Sequence, residues 1–217
     1  MRQIFIILTF LVVLVAFNNS ETTKVSSDTQ TAEQHSDTAK NISERQKLIE
    51  VLKKLRQTLA SNDKELISDI FQFPLSGTAI SIYMDDSAYN EQFKLNGNKT
   101  TKAMFLNYFK EINASILLDQ VNNLFKYINV DSLLYKDTLV YDAYSKTEPC
   151  FYSYKIEVSN DAVTLRMDMN SNRKYKSKKN SEDDIPENSS EICEHNFWWV
   201  FKFDGQRLHL SNISGAD

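Results

Sequence analysis

Glycine is scarce in this chain, at four of 217 residues, and that scarcity excludes a good deal of chemistry. Loops that cradle phosphate need glycines at fixed spacing, because the backbone must come close to the anion. Neither G-x-G-x-x-G nor a P-loop occurs. The two cysteines and three histidines are widely scattered, so no His/Cys group has the spacing of a zinc site. H-E-x-x-H and G-x-S-x-G are also missing, which removes the signatures of metalloproteases and serine hydrolases. The expected cofactor complement is therefore none, and no metal. Positive charge is not in excess either. Lys and Arg number 25 against 29 Asp and Glu, a net charge of −4. A nucleic-acid partner is not expected, because phosphate contacts need a basic face.

What is present is apolar and aromatic. Hydrophobic residues make up 41% and aromatic residues 12%, enough to bury the core of one ordinary domain with appendages. The first of these apolar stretches reads as targeting. Behind Met1-Arg2-Gln3, residues Ile4 to Phe17 form a 14-residue run broken only by Thr9. A membrane span wants about 20 apolar residues and a signal h-region about 7–15. Residues 1–19 are thus expected to be a signal peptide, or an uncleaved signal anchor, and the protein to be extracytoplasmic. The run ends Leu14-Val15-Ala16 with Phe17 where a lipoprotein signal carries its cysteine, so no thiol is available for acylation there. Any membrane contact would run through this segment alone. Residues 20–41 are rich in Ser, Thr, Asp and Gln and read as a disordered linker, because they cannot bury enough surface to offset their ordering entropy.

Residues 42–217 read as a single α+β domain. Ser43 with Gln46 is a capping-box pattern, followed by Leu48, Leu52, Leu55 and Leu59 at amphipathic-helix spacing. Asn62-Asp63 opens a shorter helix that stops before Pro74. Ala79 to Met84 reads as a strand, Asn96-Gly97 as a turn, and Lys102 to Ile112 as a third helix. From Asn113 to Tyr144, helix and strand templates compete. The remainder is period-2 sequence. Tyr152, Tyr154, Ile156 and Val158 alternate with polar residues, then Val163, Leu165, Met167 and Met169 do the same. Phe197 to Phe203 and the Asp204-Gly205 turn lead into a last strand with Leu208, Leu210 and Ile213. The expected architecture is N-terminal helices packed on a curved antiparallel meander of about four strands.

Three segments carry a family resemblance: Ile70-Phe71-Gln72-Phe73-Pro74-Leu75, Phe105-Leu106-Asn107-Tyr108-Phe109, and Phe197 through Leu208 with its Asp204-Gly205 turn. In this order of elements the chain resembles the nuclear-transport-factor-2-like (cystatin-like cone) superfamily, and more narrowly its exported bacterial members without assigned activity. The resemblance covers about residues 42–214 and rests on packing and turn signatures. It implies a sheet wrapped around helices to leave a cone-shaped pocket. Members include isomerases, dehydratases, hydrolases and plain binding modules, so the fold leaves function open.

Among single residues, His195 shares strand parity with Phe197 and Trp199. It reads as a histidine at a strand end, or as a general base oriented by Asp168 or Tyr154. Trp198 and Trp199 must face opposite sides of their strand; one is core and the other a platform for a ligand or partner. Cys150 and Cys193 each precede a strand, with a further strand between. Two strand spacings put them ~10 Å apart, beyond the ~7 Å reach of a disulfide. That favours two buried thiols over a bridge, unless loops bend the strand ends together. Ser171 to Glu191 holds five positive and then five negative charges and reads as a solvated hairpin loop or a docking loop. The leading expectation is a non-catalytic binding module taking a small ligand or protein partner in the cone pocket or on the sheet face. A cofactor-free hydrolase or isomerase built on His195 comes next, then an immunity- or inhibitor-type docking protein.

Overall fold

The computed structural model describes residues 30–80, 82, 84–144, 148–159, 161–172 and 193–216, with side chains within 42–215. The apolar run Ile4–Phe17, the first part of the expected linker (20–29) and the charged block Arg173–Glu191 lie outside the described residues. The chain divides into two compact units, Met1–Asp37 and Thr38–Asp217. Of the first, only helical backbone from residue 30 is described. Among the described residues no helix is long and apolar enough to cross a membrane.

The second unit is α+β. The helix α1 (Gln30–Ser61), whose residues from 38 onward belong to this unit, begins before the expected cap, so Ser43 and Gln46 lie inside it. Nothing between Gln30 and Ser61 is glycine or proline, and a polar composition without breakers can extend a helix that packing stabilises further along. Leu48, Ile49, Leu52, Leu55 and Leu59 are all buried. Asn62 then takes a left-handed conformation (φ 52°), and α2 (Lys64–Ser68) starts with Asp63 accepting from the N–H groups of Glu65 and Leu66 at 2.9 and 3.2 Å. The short pair β1 (Leu75–Ser76) and β2 (Lys99–Thr100) brackets α3 (Ser87–Leu95), whose N-cap is Asp86. The expected third helix is two, α4 (Lys102–Asn107) and α5 (Phe109–Ser115), broken at Tyr108. Then follow α6 (Leu118–Tyr127) and a 3-10 turn at Val130–Leu134.

Among the described residues five strands, where about four were expected, make the main sheet: β3 (Thr138–Ala143), β4 (Cys150–Ser159), β5 (Ala162–Ser171), β6 (His195–Phe203) and β7 (Leu208–Ala216), antiparallel in sequence order. The added strand, β3, comes from the stretch where the sequence was ambiguous. Its residues are mostly exposed, so the apolar alternation that marks the other strands is weak. In β7 the register against β6 shifts after Val200, and the extra residue, Ser211, donates its hydroxyl to Val200 O at 2.9 Å. Such a bulge bends a strand.

Alternation sorts the sheet into two faces. Tyr154, Ile156 and Val158, then Val163, Leu165 and Met167, then Trp199 and Phe201, then Leu208, Leu210 and Ile213 are buried. They share one core with Ile112, Ile116, Val121, Leu124, Phe125 and Leu133 from the helical half. The indole N–H of Trp199 donates to Ile116 O at 2.8 Å and ties the sheet to the α5–α6 junction. The helices therefore occupy the inner face. The stretch Ala79–Met84 is not a regular strand among the described residues. Only Ile80 pairs, in an isolated parallel bridge to Ile213. Together with Leu210 N–H to Ile70 O (2.9 Å) and Ile213 N–H to Ala79 O (2.9 Å), this contact covers the outer edge of β7. Ala79 and Ile80 thus satisfy an existing edge.

Candidate functional site

Strand register decides which candidate residues can meet. Met169 pairs with His195 and Met167 with Phe197, so His195 lies on the inner face, at the strand end nearest the disulfide. Asp168 pairs with Asn196 on the opposite face. There its carboxylate accepts from Arg166 Nε at 2.5 Å. A one-residue offset along a strand reverses the face, so Asp168 does not orient the His195 ring. Tyr154 shares the inner face but lies on β4, across β5 from His195. Its phenol donates to Gln120 Oε1 at 3.0 Å. Burial, with Tyr127 and Tyr152 nearby, pushes its pKa up to about 12, so this phenol is a poor proton donor or acceptor near neutral pH. The acid–base constellation expected around His195 is thus not assembled with either residue.

The two tryptophans separate as their parity requires. Trp199 is wholly buried and belongs to the core, so it is not a ligand platform. Trp198 is half-buried on the outer face, where the guanidinium of Arg166 lies 5.1 Å from its ring centroid. The guanidinium is fixed further by Asp168 and by Asn196 Oδ1 at 3.3 Å. Cross-strand pairing sets Lys155, Arg166, Trp198 and Ser214 in one row. Lys155 also binds Glu157 at 2.6 Å. The result is a polar sheet face with an aromatic–guanidinium pair near its centre, held in place by its neighbours. Trp198 was legible as a candidate. Arg166 and Asn196 were not, because only the pairing of β5 with β6 brings them to it.

The two cysteines are joined, with Cα atoms 5.6 Å apart. This corrects the preference for free thiols. The spacing argument required both cysteines to extend regular strands, but Cys193 sits in a short turn before β6. β5 ends at Ser171, and Asn172 turns toward β4, its N–H donating to Pro149 O at 2.7 Å and its side-chain amide to Glu148 O at 2.9 Å. Past that end the chain carrying Cys193 can cross to β4.

Sequence reasoning also missed an aromatic stack at the open side of the sheet. The rings of Tyr152, Tyr154, Tyr127 and Tyr141 succeed one another at centroid separations of 6.1, 5.7 and 4.9 Å with small interplanar angles. Tyr154 is buried and Tyr127 and Tyr141 are exposed. The signal was present as density: six of the ten tyrosines fall between 127 and 154. A shallow groove of about 240 Å³, lined in part by Tyr127, Lys136, Val140 and Tyr141, follows the same edge. A second open groove, about 340 Å³, lies between α1, α2 and the β6–β7 turn, with Lys54 and Arg207 beside Val51, Leu55 and Ile70. Among the described residues no three acidic, histidine or cysteine side chains gather as a metal site. No family model matches this chain, and neither a curated protein nor a solved structure is significantly similar to it.

Proposed function

We propose that this protein is an exported, non-catalytic binding module of the nuclear-transport-factor-2-like (cystatin-like cone) superfamily that docks a protein partner on the outer face of its sheet. One observation carries the reading. The inner face carries the buried core side chains from Tyr154 to Ile213, whereas the outer face presents Trp198 beneath Arg166, braced by Asp168 and Asn196. Tryptophan and arginine dominate the energetics of protein interfaces, and a side chain already held in place loses less entropy on binding. The Arg166 charge is balanced by Asp168 and that of Lys155 by Glu157, so the surface suits a polar protein face better than a polyanion. Export is supported by the apolar run behind Arg2 and by the Cys150–Cys193 bridge, since disulfides persist in oxidising compartments.

The test places a photo-crosslinking amino acid at position 198 in the native host, with position 95 as control. Leu95 is 80% exposed at the C-terminal end of α3. A discrete adduct from position 198 and none from position 95 supports the reading, as does loss of that partner from Trp198→Ala protein with an unchanged circular dichroism spectrum. Identical adducts from both positions, or undiminished partner binding by Trp198→Ala, refute it.

A further inference from the structure

We propose that the open edge of β3 pairs antiparallel with β3 of a second copy of this chain, joining the two main sheets into one. The edge strand is the starting point. Among the described residues β3 ends the strand order on one side, while the other end, β7, is closed by Ile70 and Ala79. An open edge offers a row of unmet N–H and C=O groups, and proteins that must avoid pairing blunt it with proline, lysine or a bulge. Thr138–Ala143 contains neither proline nor lysine, and its pairing with β4 runs without a register shift.

Which backbone groups face outward follows from one bond. Val158 N–H donates to Asp137 O at 2.8 Å, and the register places Thr138 opposite Glu157, hence Asp137 opposite Val158. In an antiparallel ladder, hydrogen-bonded pairs alternate with non-bonded ones, so Leu139, Tyr141 and Ala143 bond to β4 while Thr138, Val140 and Asp142 turn their backbone groups away from it. The Asp142 carbonyl accepts from Tyr144 N–H at 3.1 Å. The neighbouring side chains are unusually apolar for a solvent edge: Val140 is 59% exposed, Tyr141 41% and Tyr135 85%.

Charge selects a second copy as the occupant, and also the register. Lys136 precedes the strand and Asp142 lies near its end, on the same face as Thr138 and Val140 by parity. A two-fold axis through Leu139 sets Lys136 of each chain opposite Asp142 of the other, and Thr138 opposite Val140. Thr138 and Val140 then exchange reciprocal backbone bonds with their counterparts, and the two Leu139 side chains meet on the axis. The same patch used twice is the geometry of a two-fold dimer.

The test uses the full chain in nonionic detergent, followed by sedimentation over a concentration series. Val140→Pro removes only an outward N–H, the position at which an edge strand tolerates proline. It should raise the dimer dissociation constant at least tenfold with the spectrum of the fold unchanged. The charge series stands independently of that variant. Lys136→Asp and Asp142→Lys should each weaken the dimer, and the double exchange should restore it, because the opposed pairs are then re-formed. A wild-type chain that stays monomeric, or a dimer indifferent to all of these variants, overturns the proposal. A dimer weakened by both single exchanges but not restored by the double one overturns the register through Leu139.

Discussion

Replacing both Cys150 and Cys193 with alanine should destabilise the domain by about 4 kcal/mol. The figure comes from the chain-entropy cost of a loop whose ends are 43 residues apart, which on the usual logarithmic dependence corresponds to about 4 kcal/mol at 25 °C. Alanine at both positions avoids a lone thiol and a buried hydroxyl. Cys193 is fully buried in the native state, so the change also removes a little packing, which adds to the loss. For a domain of this size each kcal/mol moves the midpoint by about 2–4 °C, so thermal unfolding should shift down by about 8–16 °C. Urea unfolding of the two proteins at one pH gives the free energy directly, and a steeper denaturant slope should accompany the loss, since the uncrosslinked unfolded chain exposes more surface. Alkylation under denaturing, non-reducing conditions, read by mass, should find no free thiol in the wild type. A stability difference under about 1 kcal/mol, or two alkylated cysteines in the wild type, would refute the argument that this bridge constrains the unfolded chain.

Trp199→Phe should cost about 3 kcal/mol or more in urea unfolding, because it leaves Ile116 O without its 2.8 Å donor and opens space in a filled core; a loss below about 1 kcal/mol would mean that the carbonyl finds another partner. Tyr154 gives a pH signature: its folded pKa, about 12, lies above the ordinary 10, so its neutral form is favoured in the fold. That contribution is complete below pH 10 and is lost as pH rises from 10 toward 12, worth about 2–3 kcal/mol over the window. Tyr154→Phe should remove this extra alkaline loss, and unfolding curves at pH 9 and 11 that run parallel for the two proteins would exclude it.

The readable parts of the fold were those written in a single strong period. The stripe Leu48, Leu52, Leu55, Leu59 and the alternation from Tyr152 through Met169 each state one buried face, and both lie in the core. Asp204-Gly205 fixed its hairpin because Gly205 takes φ 91°, a conformation that costs other residues more. What escaped reading depended on partners distant in sequence. Thr138–Ala143 is a strand through its pairing with β4, with too little apolar alternation of its own to announce it. Ala79–Met84 has strand composition, yet its described residues contribute only an edge contact to β7. The same division holds at the candidate site: parity alone puts Trp198 and Trp199 on opposite faces, but which face the helices cover is decided by contacts such as that to the Ile116 carbonyl, more than 80 residues away from Trp199. Asp168 is a candidate to orient His195 on residue type alone, and the register of β5 against β6, invisible in sequence, sets them on opposite sides.

The two interaction surfaces proposed here constrain each other geometrically. Antiparallel pairing of two β3 strands within one sheet requires a two-fold axis perpendicular to that sheet, and such an axis keeps each outer face on the same side. Both Trp198–Arg166 pairs would then look the same way from one continuous surface, so a partner with two copies of its own contact would gain by simultaneous engagement. The reverse orientation, with the two faces opposed, would need parallel strands and cannot set Lys136 against Asp142. The surfaces nevertheless fail separately. Val140→Pro alters an edge position on β3 and leaves the β5–β6 row of Arg166 and Trp198 in place, whereas Trp198→Ala leaves the backbone of β3 untouched. Loss of single-site partner binding with the dimer intact would bear on the sheet face alone, and loss of the dimer with single-site affinity intact would bear on the edge alone.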